Sequence, residues 1–595
     1  MKKYLLSVIA VTAAAWPAQA QISKGGMPLS YRGDIAFNTI PVAAYADPDW
    51  KQYMEEEKAY TGLSQPAVAA LCAETDFGFP QSGQLIRQSN GQRIWRGKIM
   101  IPGAPAIGLL YDRFKLPAGV RLFLSNDNGR QVLGAFDASN NDRSGVFVTD
   151  AVQGSTVTIE LNIEPNVNLS DILLHINKAA VFHRAIEHLQ VYAGEQPLDQ
   201  IDAQLNGSSS TCMVNAICPQ GSRYGNNRKA TVQLLIFKGN KAELCSGTLV
   251  NNTGNSEGNC TPYILTATHC EKTGSTNNTT FNQTLVRFNF EYKNCAGAGA
   301  QPTSNSMTGV NIIARAAYDS TVPASSIKGD FMLLQLRQAI PMSYGAVLSG
   351  WNNSTGISTT VAEPKKFIGF HHPDGDNKKL SYSHQIQSTG FGSVQTHWTT
   401  LLESSYASTG SSGSGLFDGD GYLIGQLSTG GNYFVPASCR KNAAGEITDI
   451  GDRISYSKFS YVWDYAVDGA AANRKLKPWL DPGNTGVATV SAVKSDCTDA
   501  GSGIDTGQTN LTDQILVYPT AVTQDWLQVQ YNLVTNQDIV IRIYDCSGRA
   551  IITTTIANVK DGVYPLNLSA LSNGMYMVLL QSGAYSSTRK IMVLK

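Results

Sequence analysis

Short runs in which apolar and polar residues alternate, broken by turn-forming pairs, recur along the chain and predict strands almost throughout. In residues 21–206 they include Ile94-Trp95-Arg96-Gly97-Lys98-Ile99-Met100-Ile101 and Val157-Thr158-Ile159-Glu160-Leu161-Asn162-Ile163, separated by Pro-Gly and Asn-Gly turns. This region reads as a β-rich domain. A short helix is expected around His183 to Leu189, ahead of the polar stretch Asn206-Gly207-Ser208-Ser209-Ser210, which suits chain cleavage. Residues 207–493 carry many short strands with Gly, Asn, Ser and Thr turns, the pattern of a double β-barrel. A linker poor in apolar residues is expected over 494–512. Residues 513–595 return to strands, with Gln514-Ile515-Leu516-Val517-Tyr518-Pro519, Ile539-Val540-Ile541-Arg542-Ile543-Tyr544 and Gly574-Met575-Tyr576-Met577-Val578-Leu579-Leu580, and predict a small β-sandwich. The fold class expected is mostly β.

The N-terminal residues depart from this pattern. Lys2 and Lys3 precede an apolar run from Leu5 to Ala15 and the small-residue site Ala18-Gln19-Ala20, which reads as a signal peptide over residues 1–20. No later run reaches the roughly 20 apolar residues a spanning helix needs, so no transmembrane segment is expected. Lys plus Arg (46) equals Asp plus Glu (46), so no net field draws the chain to nucleic acid. The ten cysteines have irregular spacings without a CxxC pair, which points to disulfides of an oxidising compartment rather than to a zinc site. His371 and His372, adjacent on an expected strand, point to opposite faces and do not make a metal pair. Neither a metal nor a cofactor is expected.

Three local patterns carry chemistry. Gly410-Ser411-Ser412-Gly413-Ser414 sets a serine in a glycine-flanked turn that exposes a hydroxyl and gathers backbone amides. Tyr263-Ile264-Leu265 leads into Thr266-Ala267-Thr268-His269-Cys270, and Gly329-Asp330-Phe331-Met332-Leu333-Leu334 lies between the two. A neutral hydroxyl attacks a peptide bond poorly and needs a base, an orienter for that base and donors for the oxyanion. Ser412 is the candidate nucleophile, His269 the base, Asp330 the orienter, and the amides of Gly410 and Ser412 the oxyanion donors. Taken singly, each pattern is an ordinary turn, a polar residue after a strand, or a cap. Their joint order, His then Asp then Ser, is that of a chymotrypsin-type protease.

Beyond that general order, residues Cys212 to Val493 resemble the bacterial lysyl endopeptidase family of secreted serine proteases. The motifs are Cys212 through Cys218-Pro219, Cys245-Ser246-Gly247-Thr248-Leu249-Val250-Asn251-Asn252, those around His269, Asp330 and Ser412, His371-His372-Pro373, and Trp479-Leu480-Asp481-Pro482. The resemblance implies a chymotrypsin-like double β-barrel behind a propeptide, and disulfides joining Cys212 with Cys439, Cys218 with Cys295 and Cys245 with Cys270. Cys260 has no counterpart there and either competes for Cys245 or stays free; the states of Cys72, Cys497 and Cys546 are open. Ser411 stands where many enzymes of the wider fold hold an aspartate that pairs with the freed N-terminus, so activation is expected to unblock the cleft instead.

The same resemblance implies lysine before the scissile bond, read by an aspartate downstream of the serine. Asp452 is the candidate, with Asp449 as rival, while the trypsin-type position six before the nucleophile is Tyr406. Ser428 is expected to support Asp330, and its strand through Gly430 to bind substrate backbone as an added strand. The histidine and tryptophan that the family keeps near its triad have no clear match: Ser428-Thr429-Gly430 occupies the first region, and Trp398 is the tryptophan shortly before Ser412. Asn206 before the expected mature start Gly207 is not lysine, so self-cleavage there would contradict a lysyl specificity.

Residues 513–595 resemble the sorting domain of the type IX secretion system, in Val517-Tyr518-Pro519, Ile543-Tyr544-Asp545-Cys546-Ser547-Gly548, Leu571-Ser572-Asn573-Gly574-Met575-Tyr576 and Lys590-Ile591-Met592-Val593-Leu594-Lys595. That implies the secretion machinery as partner and release from, or attachment to, the surface of a Gram-negative cell. The expected product is a monomeric secreted serine endopeptidase acting on proteins and peptides. The alternatives are the same chemistry with another specificity, or an inactive protease fold serving as an adhesin.

Overall fold

The computed structural model describes residues 23, 25–32, 40–59, 67–193, 209, 213–274, 276, 281–293, 295, 303–318, 327–391, 394–430, 453–501, 515–518, 521–522, 525–545, 547–582 and 585–594. Residues 1–20, expected to be a signal peptide, and Asn206, Gly207, Cys212, Cys439, Asp449, Asp452 and Cys546 lie outside them. The chain is mostly β and divides into two compact units, with the boundary after Ser502. Among the described residues no helix is long and apolar enough to cross a membrane.

Two layers build the N-terminal region. One sheet runs in the order Val42–Ala44, Arg93–Met100, Thr156–Ile163, Val120–Asn126 and Val132–Phe136. The other contains Ala67–Gly78, Leu173–Phe182 and Ala106–Lys115. Phe77, Trp95, Leu109, Tyr111, Phe147, Ile159 and Leu161 fill the space between them. Where a short helix was expected around His183 to Leu189, the strand runs to Phe182 and a single 3-10 turn begins only at Glu187 and ends at Tyr192. The strand pattern favours extension up to Phe182, and polar His183 and Arg184 then leave the sheet.

The second layer does not end at the N-terminal region. Ala67–Gly78 pairs antiparallel with Lys241–Val250, Leu71 opposite Lys241 and Ala70 opposite Ala242, so one sheet continues into the first barrel of the following region. Ala69, Ala70, Phe182, Ala185, Ile186 and Leu189 share a core with Leu235, Phe237, Leu244, Leu285 and Phe290. Alanines in the joining strand let the two layers approach closely, and Ala69 and Ala70 have no exposure.

The first barrel-like sheet comprises Thr231–Lys238, Lys241–Val250, Tyr263–Thr266, Leu285–Glu291, Thr303–Thr308, Val310–Arg315 and Met332–Leu336, around Val232, Leu234, Ile264, Val286, Met332 and Leu334. The second contains Phe367–His371, Lys379–Ser383, Ile386–Phe391, Val394–Leu401, Gly415–Phe417, Leu423–Gly430 and Arg453–Lys458, around Phe367, Trp398, Leu416, Leu427 and Tyr456. Trp398 is thus a core residue; its ring carries Lys458 Nζ at 4.2 Å.

The linker expected from residue 494 begins later. Val493–Lys494 pairs with Val347–Leu348, Ser495 N–H donates to the Ala346 carbonyl, and Cys497 is bridged to Cys260 with a Cα–Cα distance of 5.6 Å. Cys260 therefore neither competes for Cys245 nor stays free. The Cys218–Cys295 and Cys245–Cys270 bridges are both present, and Cys72 is a free buried thiol pushed up to about 12 by burial.

The second unit consists mainly of residues 503–595 and holds a six-stranded sheet. In Gly574–Ser582 the side chains of Tyr576, Val578 and Leu580 are buried while Met575 and Met577 are exposed, as a half-covered strand of period two requires.

Candidate active site

His269 sits in a 3-10 turn, Thr268–Cys270, directly after the buried Tyr263–Thr266 strand. Two devices hold this turn. The Cys245–Cys270 disulfide ties it to the neighbouring strand. Arg315, fully buried, grips both of its ends: Nε donates to Thr268 Oγ1 at 2.9 Å, Nη2 to the carbonyls of Thr268 (2.7 Å) and Glu271 (2.6 Å), and Nη1 to Glu271 Oε2 at 2.8 Å. Burial alone would raise the Glu271 carboxyl, but the bond from Arg315 and the Thr273 donors outweigh it and hold it below the usual range.

Asp330 leads into the Met332–Leu336 strand, which pairs with Tyr263–Thr266 and so carries Asp330 to His269. Asp330 Oδ2 faces His269 Nδ1 at 2.8 Å, and Oδ1 accepts from the His269 backbone N–H at 3.2 Å. Ser428 Oγ donates to Oδ2 at 2.6 Å, Gln426 Nε2 to the Asp330 carbonyl at 2.8 Å, and the Asp330 N–H to Ser457 Oγ at 3.2 Å. Burial pulls this carboxyl up, yet the charge and hydrogen bonds of His269 together with the Ser428 bond prevail and keep it ionised below the ordinary range. An ionised Asp330 accepts only, so the proton on His269 resides on Nδ1 and Nε2 is left as an acceptor. Nε2 is buried and makes no hydrogen bond to a described residue, Ser412 Oγ included.

The turn bearing Ser412 packs directly on these elements. Ser246 N–H donates to the Ser412 carbonyl at 2.9 Å, and Cys270 Sγ lies 3.8 Å from the same oxygen. Gly413 has φ +82°, and a methyl group there would meet Thr266 Oγ1 at 2.0 Å, so only glycine lets the turn approach the histidine-bearing segment. Gly410 is likewise left-handed, with φ +90°. The amides of Ser411, Gly413 and Ser414 donate to the carbonyls of Ser408, Leu427 and Ser411. Among the described residues those of Gly410 and Ser412 donate to none. Ser412 itself is half-buried.

Ser428 to Gly430 close the Leu423–Gly430 strand. Thr429 and Gly430 pair with Ser455 and Ile454 on one side. On the other side the ladder with Gly415–Phe417 stops at Gln426, leaving Ser428 to Gly430 without a strand partner there among the described residues. A methyl group on Gly430 would meet nothing within 4 Å.

The sequence reading did not identify Arg315, Gln426, Ser457 or His397. His397 is buried on the neighbouring strand with Nδ1 2.6 Å from Thr396 Oγ1, and burial pushes it down to about 4. Only their three-dimensional placement marks them. His371 and His372 have separate partners, Ser411 Oγ at 2.9 Å and the Asp376 carbonyl at 3.0 Å, and among the described residues no cluster of metal-ligating side chains occurs.

Comparison with known proteins agrees with the motifs. Residues 206–449 match the family described as lysyl endopeptidase, C-terminal domain, and residues 516–594 the secretion system C-terminal sorting domain. A lysyl endopeptidase from Pseudomonas aeruginosa is 28% identical over 340 residues, which cover 54% of this chain and 65% of that protein. The chain thus spans slightly under two thirds of that relative. The serine endoprotease from Yersinia pestis is 12% identical with a TM-score of 0.21, covering 63% of this chain and 97% of that one, a likeness too slight to carry weight. The resemblance to lysyl endopeptidases is therefore shown, and the sorting domain marks the chain for export and association with the cell surface or outer membrane.

Proposed function

We propose that the chain is a secreted serine endopeptidase that cuts after lysine, made as a precursor whose residues 21–206 are removed before it acts. The observation that carries this reading is the pairing of His269 Nδ1 with the buried Asp330 carboxylate beside a turn in which the Gly410 and Ser412 amides donate to none of the described residues. In the reaction, substrate draws Ser412 Oγ toward Nε2, and a hydrogen bond that is open without substrate closes in the complex. His269 takes the hydroxyl proton as Oγ adds to the scissile carbonyl. The amides of Gly410 and Ser412 hold the resulting oxyanion, each donor being worth about 3 kcal/mol in the barrier. His269 then protonates the leaving amine, and water releases the acyl group by the same steps in reverse. Asp330 keeps the imidazole in the required tautomer and stabilises its charged form.

The specificity rests on the resemblance to lysyl endopeptidases and on Asp452, which in sequence immediately precedes the Arg453–Lys458 strand that pairs with Thr429 and Gly430. Digestion of an unfolded protein mixture by the processed enzyme, with every cut read by mass spectrometry, tests it. Cuts after lysine that weaken in Asp452→Asn support the pocket. Cuts after other residues that vanish in Ser412→Ala keep the serine chemistry and discard the lysyl assignment.

A further inference from the structure

The turn that presents Ser412, Gly410 to Ser414, has no acidic residue of its own, and Ser411 Oγ pairs with His371 Nδ1 and accepts from the Ser408 N–H. One carboxylate, Asp374, reaches the turn's approach from another loop, residues 372–376. Asp374 grips the approach to the turn: its Oδ2 accepts from Ser408 Oγ at 2.8 Å, its Oδ1 from Thr409 Oγ1 at 3.0 Å, and its N–H donates to the Thr409 carbonyl at 2.6 Å. It does so with φ +53° and ψ 18°, a left-handed backbone that non-glycine residues seldom hold unless their surroundings enforce it. The contact continues onto Gly410, where a methyl group would come within 2.7 Å of the His372 carbonyl oxygen and 3.4 Å of the Asp374 nitrogen. Ser246 Oγ bridges the same two segments, donating to the Gly410 carbonyl at 2.9 Å and accepting from the His372 N–H at 3.0 Å.

The other end of the loop holds a different segment. Asp376 is buried, and its Oδ2 accepts from both the backbone N–H (3.1 Å) and the Oγ (2.5 Å) of Ser209, with Lys379 Nζ at 3.2 Å. Ser209 follows Gly207, the expected first residue of the processed enzyme, by two positions. The precursor's N-terminal region touches the loop as well: a methyl group on Gly375 would lie 3.6 Å from the Ala185 side chain.

We propose that the 372–376 loop is a positioning element that couples the seating of the Ser209 segment on Asp376 to the geometry of the oxyanion turn through Asp374. Asp374 and Asp376 are positioning residues: they act on the reacting atoms through Ser408, Thr409 and Gly410. The loop does for this chain what an acidic residue at position 411 would do, and it makes the Gly410 amide depend on how the start of the processed chain is held. The inference rests on the reading of Ser412 as nucleophile.

A mutant cycle on the processed enzyme tests it, with the rate of Ser412 acylation by a fluorophosphonate, kcat and KM on a peptide amide, and Tm as readouts. Asp374→Asn should slow acylation and kcat about tenfold with KM within about twofold, as expected when a group acts on the transition state alone. Ser209→Ala should slow them about threefold, and the double variant should be no slower than Asp374→Asn, because both act through one loop. If Asp374→Asn fails to fold, the cycle of Ser209→Ala with Ser408→Ala carries the same non-additivity. Single variants that react at the unsubstituted rate, or effects that multiply in the double variant, overturn the proposal. An unsubstituted enzyme that is folded, processed and never labelled overturns the reading of Ser412 and the coupling with it.

Discussion

Ser428 Oγ donates to the same Asp330 oxygen, Oδ2, that faces His269 Nδ1, the two contacts measuring 2.6 Å and 2.8 Å. A carboxylate oxygen shared in this way is fixed in position and in charge. Replacing Ser428 with Ala should lower kcat about tenfold with little change in KM, since a hydrogen bond to a charged group contributes about 1.5–3 kcal/mol. Asp330→Asn should lower kcat on the order of 10⁴-fold by favouring the wrong tautomer. Steady-state kinetics on a peptide amide check both.

The Arg315–Glu271 pair underlies the His269 turn. Arg315→Leu leaves Glu271 buried without its main partner, an expected loss of about 3–5 kcal/mol in chemical denaturation. Glu271 and Asp330 are both held below their ordinary ranges, so the stability they contribute is present above the unfolded values, near about 4, and is lost as pH falls through the folded values. Denaturation midpoints should therefore drop below about pH 4, and the drop should shrink in Glu271→Gln.

Fully buried Arg287 joins the N-terminal region to the first barrel, with Nη2 2.5 Å from Asp150 Oδ1 and Nη1 2.6 Å from the Ala185 carbonyl. Asp150→Ala strands that guanidinium and should destabilise the precursor by about 3–5 kcal/mol. Processed enzyme recovered from the same variant, which no longer contains residue 150, should melt where the unsubstituted enzyme does. Calorimetry of both forms separates the two.

The Cys260–Cys497 bridge closes a loop with a sequence separation of 237. On the chain-entropy account, Cys497→Ser should cost up to about 5 kcal/mol. Limited proteolysis should then cut between Lys494 and Gly501, a stretch protected in the bridged protein.

His269, Asp330 and Ser412 stood out in the chain because each lies beside a short apolar strand or a glycine turn, signals confined to a few residues. The pairing of Ala67–Gly78 with Lys241–Val250 left no such signal, because an alanine-rich strand that is buried on both faces carries no preference for one distant partner. Two disulfides followed from the family resemblance, whereas Cys260–Cys497 had no counterpart there and was set by the folding back of Val493–Lys494 onto Val347–Leu348. Arg315 and Asp374 carry no local motif in sequence; only the fold buries the first beneath the His269 turn and sets the second against Ser408 and Thr409. The specificity residue stayed undecided between Asp449 and Asp452, since the sequence around both has no periodicity and both lie outside the described residues.

The central claim is that Ser412 is an activated nucleophile. Labelling the processed enzyme with a fluorophosphonate and locating the adduct by peptide mass spectrometry tests it most directly. The account predicts a single adduct on Ser412, absent in Ser412→Ala and slowed by orders of magnitude in His269→Ala. An adduct on another residue, or none on a folded and processed sample that binds peptides, would contradict it.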